Sequence, residues 1–325
     1  MRRLTLLLFC AFAWPAQAQT RATEWVQERP VRIILPFPPG GATDLIARIF
    51  AERISRESRH PWLVENRSGA NGNIGMAVAA QSAPDGYTLG GCTIGNCAIN
   101  AAIYARMPFD ILTDLVPVFW SGSVMNALAV RADHPARDFQ AFVTWARERG
   151  NRANFSSSGF GASNHLLGEF LNGRLGLTMQ HVPFRGGAPG MQAVLSGDTQ
   201  MFFENVPTLI GAIRGGQLRA LAVSGGERDA TLPDVPTLEQ AGMPNAVIEP
   251  WFGYMAPRNT PPHIVAALNA MLDRANADPE VQARLRNLGA RPEGGPPERF
   301  ATHVRSEVAR WREVVEVNRI ERIAE

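Results

Sequence analysis

The sequence predicts an α/β protein in two halves followed by a helical tail, and three observations carry that prediction. The chain has 325 residues, which at roughly 100–200 residues per domain means two domains or one large one. Strand-like and helix-like segments alternate from residue 31, and the alternation restarts near residue 126. From Pro262 onward only helical periodicity remains.

Taken in order, Val31-Arg32-Ile33-Ile34-Leu35 is a β-branched apolar run stopped by Pro36, hence a buried strand. Pro38-Pro39-Gly40-Gly41 makes a rigid turn. Thr43 or Asp44 then caps a helix in which Leu45, Ile46, Ile49, Phe50 and Ile54 recur at helical spacing. Leu63-Val64-Glu65 is a second strand, followed by a Gly/Asn-rich turn over 69–73 and a helix from Ile74 to Gln81. Pro84-Asp85-Gly86 turns the chain into a third strand at Tyr87-Thr88-Leu89. This succession reads as a parallel sheet with covering helices. In the second half, strands are predicted at Asn126 to Val130, Asn154 to Ser156, Met179 to Val182, Thr199 to Phe203, Leu218 to Val223 and Val247-Ile248. Helices are predicted at Phe139 to Arg147, Asn164 to Asn172 and Gly190 to Leu195. Ile264 to Ala275, Pro279 to Leu288 and Pro297 to Val317 form the helical tail.

Composition narrows the function. The chain is 45% hydrophobic and 19% charged, the balance of a folding globular protein. Lysine is absent, which removes Schiff-base, P-loop and pyridoxal-phosphate lysines. Residues 1–18 have the form of a secretory signal: Met1-Arg2-Arg3, a short apolar run from Leu4 to Trp14, and Ala16-Gln17-Ala18 as the small-x-small cleavage pattern. Cleavage after Ala18 leaves 30 basic and 30 acidic residues, so no global field attracts nucleic acid or an anionic membrane. It also leaves two cysteines, Cys92 and Cys97, either a small disulfide loop or a pair of thiols beside a cleft.

Two segments are placed to bind a ligand. Pro39-Gly40-Gly41-Ala42-Thr43 lies where a strand ends and a helix starts. Backbone N–H groups and about half a positive charge at the helix N-terminus make such a place an anion site without basic side chains. Ser156-Ser157-Ser158-Gly159-Phe160-Gly161-Ala162-Ser163-Asn164-His165 repeats the design in the second half, with Ser163 or Asn164 as the helix cap. Thr93 and the residues up to Asn100 follow the third strand and line the same cleft. Glu204 ends a strand as either a ligand-discriminating carboxylate or a helix-capping acid, and Arg185 is either the one basic residue near the cleft or, in preference, a partner in a surface salt bridge. Ser158 and His165 are a conceivable nucleophile–base pair, although no Gly-x-Ser-x-Gly elbow exists. The six histidines form no i, i+4 pair and no His-x-His, so no metal site is expected, and no cofactor. An exported protein with two such α/β halves is predicted to clamp a small molecule between them.

Seven ordered motifs resemble one family. They are Pro30 to Asp44, Glu65 to Gly75, Ala83 to Leu89, Ser158 to Leu166, His181 to Gly186, Leu232 to Thr237, and Ala256-Pro257 with Thr260-Pro261. They closely resemble the solute receptors of tripartite tricarboxylate transporters, the Bug-type receptors. The resemblance implies a type II periplasmic-binding-protein fold: residues 24–124 with 249–325 as domain 1, residues 125–248 as domain 2, and crossing strands near 122–130 and 246–256. It further implies a ligand carboxylate held by backbone amides of Gly40, Gly41 and Ala42 on one side and of Ser158, Gly161, Ala162 and Ser163 on the other. Thr93 matches a third-strand loop position, and Glu204 a position that is often acidic. With Pro39, Thr43, Ser157 and His165 from the local reading, these are the candidate ligand-binding residues. The implied protein is a monomeric periplasmic receptor, not an enzyme, that passes its ligand to membrane transporter subunits. Docking of the liganded receptor on a signalling partner, or hydrolysis by Ser158 and His165, are the alternatives. Gln200, Phe184 and the cysteine pair depart from the family pattern and bear on ligand identity.

Overall fold

The computed structural model describes residues 25–317 and 322–323. The predicted signal segment, residues 1–18, lies outside the described residues. Among the described residues no helix is long and apolar enough to cross a membrane.

The first half runs β1 (Val31–Leu35), α1 (Ala42–Glu57), β2 (Trp62–Asn66), α2 (Asn73–Ala80) and β3 (Thr88–Thr93). A π-helical turn (Gly95–Ile99) and α3 (Asn100–Ile103) then lead to β4 (Leu115–Val124). The second half runs β5 (Asn126–Arg131), α4 (Phe139–Arg149), β6 (Asn154–Ser157), α5 (Ser163–Leu175), β7 (Gln180–Pro183), α6 (Gly187–Ser196), β8 (Met201–Asn205), α7 (Val206–Arg214) and β9 (Leu218–Val223). The chain returns as β10 (Trp251–Pro257) and ends with α8 (Pro262–Ala277), α9 (Pro279–Asn287), β11 (Ala290–Arg291) and α10 (Pro297–Val317).

Two sheets result. Six strands stand in the order β11-β4-β10-β3-β1-β2, and five in the order β7-β6-β8-β5-β9. The parallel arrangement expected of the first three strands is present, and each sheet also takes in an antiparallel strand. β2, β1 and β3 are parallel, as are β7, β6 and β8, but β10 runs antiparallel to β3, and β5 antiparallel to β8. Both antiparallel strands enter from the other sheet. The chain passes from β4 to β5 through Met125 alone and returns from β9 to β10 beside it, where the Val124 N–H donates to the Pro250 carbonyl at 2.8 Å.

Each sheet buries its own core. Ile46, Ile49, Phe50 and Ile54 of α1 are almost wholly buried, and Phe50 meets Phe119 and Tyr254 edge-on. Burial of one such side chain contributes about 1.5–3 kcal/mol. The strand predicted at Val247-Ile248 is absent: the Ile248 N–H donates to the Ser224 carbonyl, in irregular chain between β9 and β10.

Candidate functional site

β1 and β6 end at facing loops, and α1 and α5 begin from them. Both predicted caps are wrong. Gly41 and Ala162 are the N-caps, and neither uses a side chain. Instead the third residue of each helix reaches back: Asp44 accepts the Gly40 N–H at 3.1 Å, and His165 Nδ1 accepts the Gly161 N–H at 3.2 Å. Both glycines have positive φ, +86° and +78°, which a side chain rarely tolerates. A Cβ on Gly161 would also stand 2.2 Å from Ile103 Cδ1 of the opposite half, so this glycine lets the two halves approach.

Between the loops lies a cavity of about 50 Å³. Gly41, Ala42, Thr43, Thr93, Ser158, Ala162, Ser163 and Glu204 line it, together with Phe37, Asn71, Ile94, Gly95, Asn164, Gly187, Asn205, Pro250 and Phe252. No basic side chain is among them. Pro39, Gly40, Ser157, Gly161 and His165 lie outside this lining: Pro39 and Gly40 are exposed, and Ser157 is fully buried behind it. Arg185 is exposed and away from the cavity. Larger grooves of about 310 and 450 Å³ lie elsewhere, lined by Arg228, Arg286 and Arg291 and by Arg53, Arg59 and Arg274 respectively. Neither contains the start of α1 or α5, so the smaller cavity is the candidate site.

The donors facing this cavity are unequal. The Ala42 N–H already donates to Thr208 Oγ1 across the cleft at 3.0 Å, whereas the N–H groups of Gly41 and Thr43 have no partner among the described residues. Thr93 Oγ1 bonds Asn96 Oδ1 within its own turn, inside the loop that the Cys92–Cys97 disulfide closes. Glu204 is 1% exposed and receives Ser158 Oγ at 2.8 Å, Asn164 Nδ2 at 2.7 Å, Asn205 Nδ2 at 2.8 Å and Thr208 Oγ1 at 3.2 Å. Burial pushes its pKa up, and these donors oppose the rise.

The structure does not form a Ser158–His165 pair. Ser158 Oγ bonds Glu204 and Asn164, while it is Ser157 that lies 2.6 Å from His181 Nε2. Ser157 is sealed from solvent, so this contact offers no accessible nucleophile, and burial holds His181 down to about 3, an imidazole that is neutral and only weakly basic. His165 is likewise held down to about 4 by burial. Spacing along the chain predicts no metal site, yet the fold gathers His165, His181 and Glu169 with donor atoms all within 4.8 Å of one another.

Among the residues sequence reasoning missed, Asn71 carries a signal in hindsight: it stands in the Gly/Asn turn with φ of 46°. Phe37 lies inside the first-loop motif and arrives with the end of β1, whereas Pro250 and Phe252 carry no local signal, because the crossing of β10 brings them here.

Comparison with known proteins agrees with this architecture. The family model for the tripartite tricarboxylate transporter family receptor matches residues 46–320. BugT of Bordetella pertussis is 33% identical over 316 residues, 97% of each chain. Rpa4515 of R. palustris, solved with adipate, superposes with a TM-score of 0.87 at 33% identity, covering 91% of this chain and 99% of its own. MatC from Rhodopseudomonas palustris with bound malate gives a TM-score of 0.83 at 33% identity, covering 89% and 99%. The overall fold is thus shared with these periplasmic proteins, and this chain belongs to the tripartite tricarboxylate transporter family of receptors.

Proposed function

We propose that the protein is an exported periplasmic receptor that captures a small carboxylate and delivers it to membrane transporter subunits. Residues 24–124 with 249–325 close on residues 125–248 around the ligand. The receptor works as a monomer, without a cofactor and without nucleic acid, and no bond is made or broken. The observation that carries this reading is the start of two helices, α1 and α5, on opposite walls of one cavity that no cationic side chain lines. Each helix end contributes about half a positive charge and free N–H donors, which suits one carboxylate. Adipate in Rpa4515 and malate in MatC support the choice of ligand class. A cavity of about 50 Å³ is far below the ~300 Å³ of ordinary ligand pockets, so the ligand enters by separation of the two halves.

The test is a thermal-shift screen of unfolded and refolded protein against mono-, di- and tricarboxylates, amino acids and aromatic acids. Refolding removes any ligand carried through purification. At a hundredfold excess over Kd a ligand adds about 2.7 kcal/mol, or roughly 2–4 °C for each kcal/mol. A selective rise with one carboxylate class is expected. A flat response across the carboxylates overturns the reading.

A further inference from the structure

We propose that His165, Glu169 and His181 form a site for a borderline divalent transition-metal ion such as Zn²⁺, beside the second-half loop of the cleft. His165 and Glu169 are one turn apart on α5 and so share a helix face. β7 brings His181 against them. His165 Nε2 lies 3.8 Å from Glu169 Oε1, the two imidazole centroids are 4.1 Å apart, and all three donor atoms fall within 4.8 Å. Two imidazole nitrogens and one carboxylate oxygen are the donor set of an open zinc site, with the fourth position left to water. Tetrahedral donors stand about 3.4 Å apart, so closing the site takes a movement of about an ångström, within reach of the half-exposed Glu169 arm.

The surroundings favour coordination over a solvated pair. Phe155 stacks on His181 at 5.1 Å, and Phe160 stands edge-on to both rings at 4.9 and 5.5 Å, so little rotamer freedom remains to be lost. Burial keeps both imidazoles neutral at pH 7, the form that ligates metal. The proton count has one consequence. His165 Nδ1 accepts the Gly161 N–H, so the imidazole proton sits on Nε2. A cation at Nε2 moves that proton to Nδ1 and gives up the Gly161 bond. The ion and the resting loop geometry are therefore alternatives.

The test is titration of untagged protein with ZnCl₂ at pH 7 by calorimetry, with the visible spectrum of added Co²⁺ as a second readout. One ion per chain is expected, with binding at least tenfold weaker in Glu169→Ala and lost in His165→Gln. Glu169→Ala alters a surface residue and keeps the test decisive if His165→Gln fails to fold. Absence of binding at millimolar ion overturns the proposal, and so does equal affinity in both variants, which would place the ion on His60, His263 or other surface groups.

Discussion

The two cleft loops solve one local problem with different chemistry. In each, a glycine of positive φ precedes the N-cap, and the third helical residue accepts that glycine's N–H. In the first half the acceptor is Asp44, whose buried carboxyl also takes Arg48 at 2.9 Å and Asn66 at 3.0 Å. Burial opposes its ionisation, but Arg48 and the Gly40 N–H hold its pKa below the usual carboxylate range. In the second half the acceptor is His165, neutral and tilted against the His181 ring at 4.1 Å. The first loop is thus braced by an ion pair that stays charged over most of the pH range. The second is braced by neutral imidazoles and by the polar cluster of Ser158, Asn164 and Glu204. In both loops side chains take up part of the backbone N–H groups, Gly40 on Asp44, Ala42 on Thr208, Ser158 on Asn164 and Gly161 on His165, and the N–H groups of Gly41 and Thr43 are left without a partner among the described residues.

Substitutions on either loop sharpen that contrast. The largest expected effect is on ligand binding in Gly41→Val. Gly41 has a φ of −82° and nothing within 4 Å of its Cβ position, so the variant folds with unchanged denaturation midpoint. The added side chain fills the cavity at the free N–H, and calorimetry should show affinity lowered at least a hundredfold. Next is Glu204→Ala, which takes the acceptor from two buried donors, Asn164 and Thr208, and two half-buried ones, Ser158 and Asn205; urea denaturation should show a loss of about 3 kcal/mol. Asp44→Ala in the first loop removes a carboxylate whose partner Arg48 is half exposed, and about 1–2 kcal/mol is expected from the same measurement.

The smallest effect separates the loops by pH. His165 and His181 titrate near 4 and 3 when folded and near 6.5 when unfolded, so below 6.5 the unfolded chain binds more protons. Their contribution is whole above pH 6.5 and is lost as pH falls toward 4. His165→Gln should therefore flatten the fall of the urea midpoint between pH 7 and 5, whereas Asp44→Ala should leave its slope in that window unchanged. Equal slopes in wild type and His165→Gln would break the comparison.

How much of this was legible depended on how local the cause was. β1, α1, β3, β6 and α10 follow from apolar periodicity and flanking Gly or Pro, and each lies where its residues predict. The expected elements do not include α7, a nine-residue helix (Val206–Arg214) with six residues buried and only Gly211 and Arg214 exposed, too short a polar stripe to set a period. β10 was displaced from the predicted Val247-Ile248 because its position is fixed by pairing with β3 and β4, not by its own residues. Of the candidate site residues, those at the two helix starts lie in the cavity lining. Pro39, Gly40, Ser157, Gly161 and His165 shape or brace the loops from outside it.

The sequence by itself determined the alternation of strands and helices, the two glycine-bearing loops and the family, because these rest on short-range periodicity, turn chemistry and ordered motifs. Only the tertiary structure decided which N–H groups remain free, what Glu204 holds, and that His165 meets His181. Those outcomes depend on hydrogen bonds and ring contacts between segments as many as 166 residues apart, such as the Ala42 N–H on Thr208, whose pairing no local pattern records.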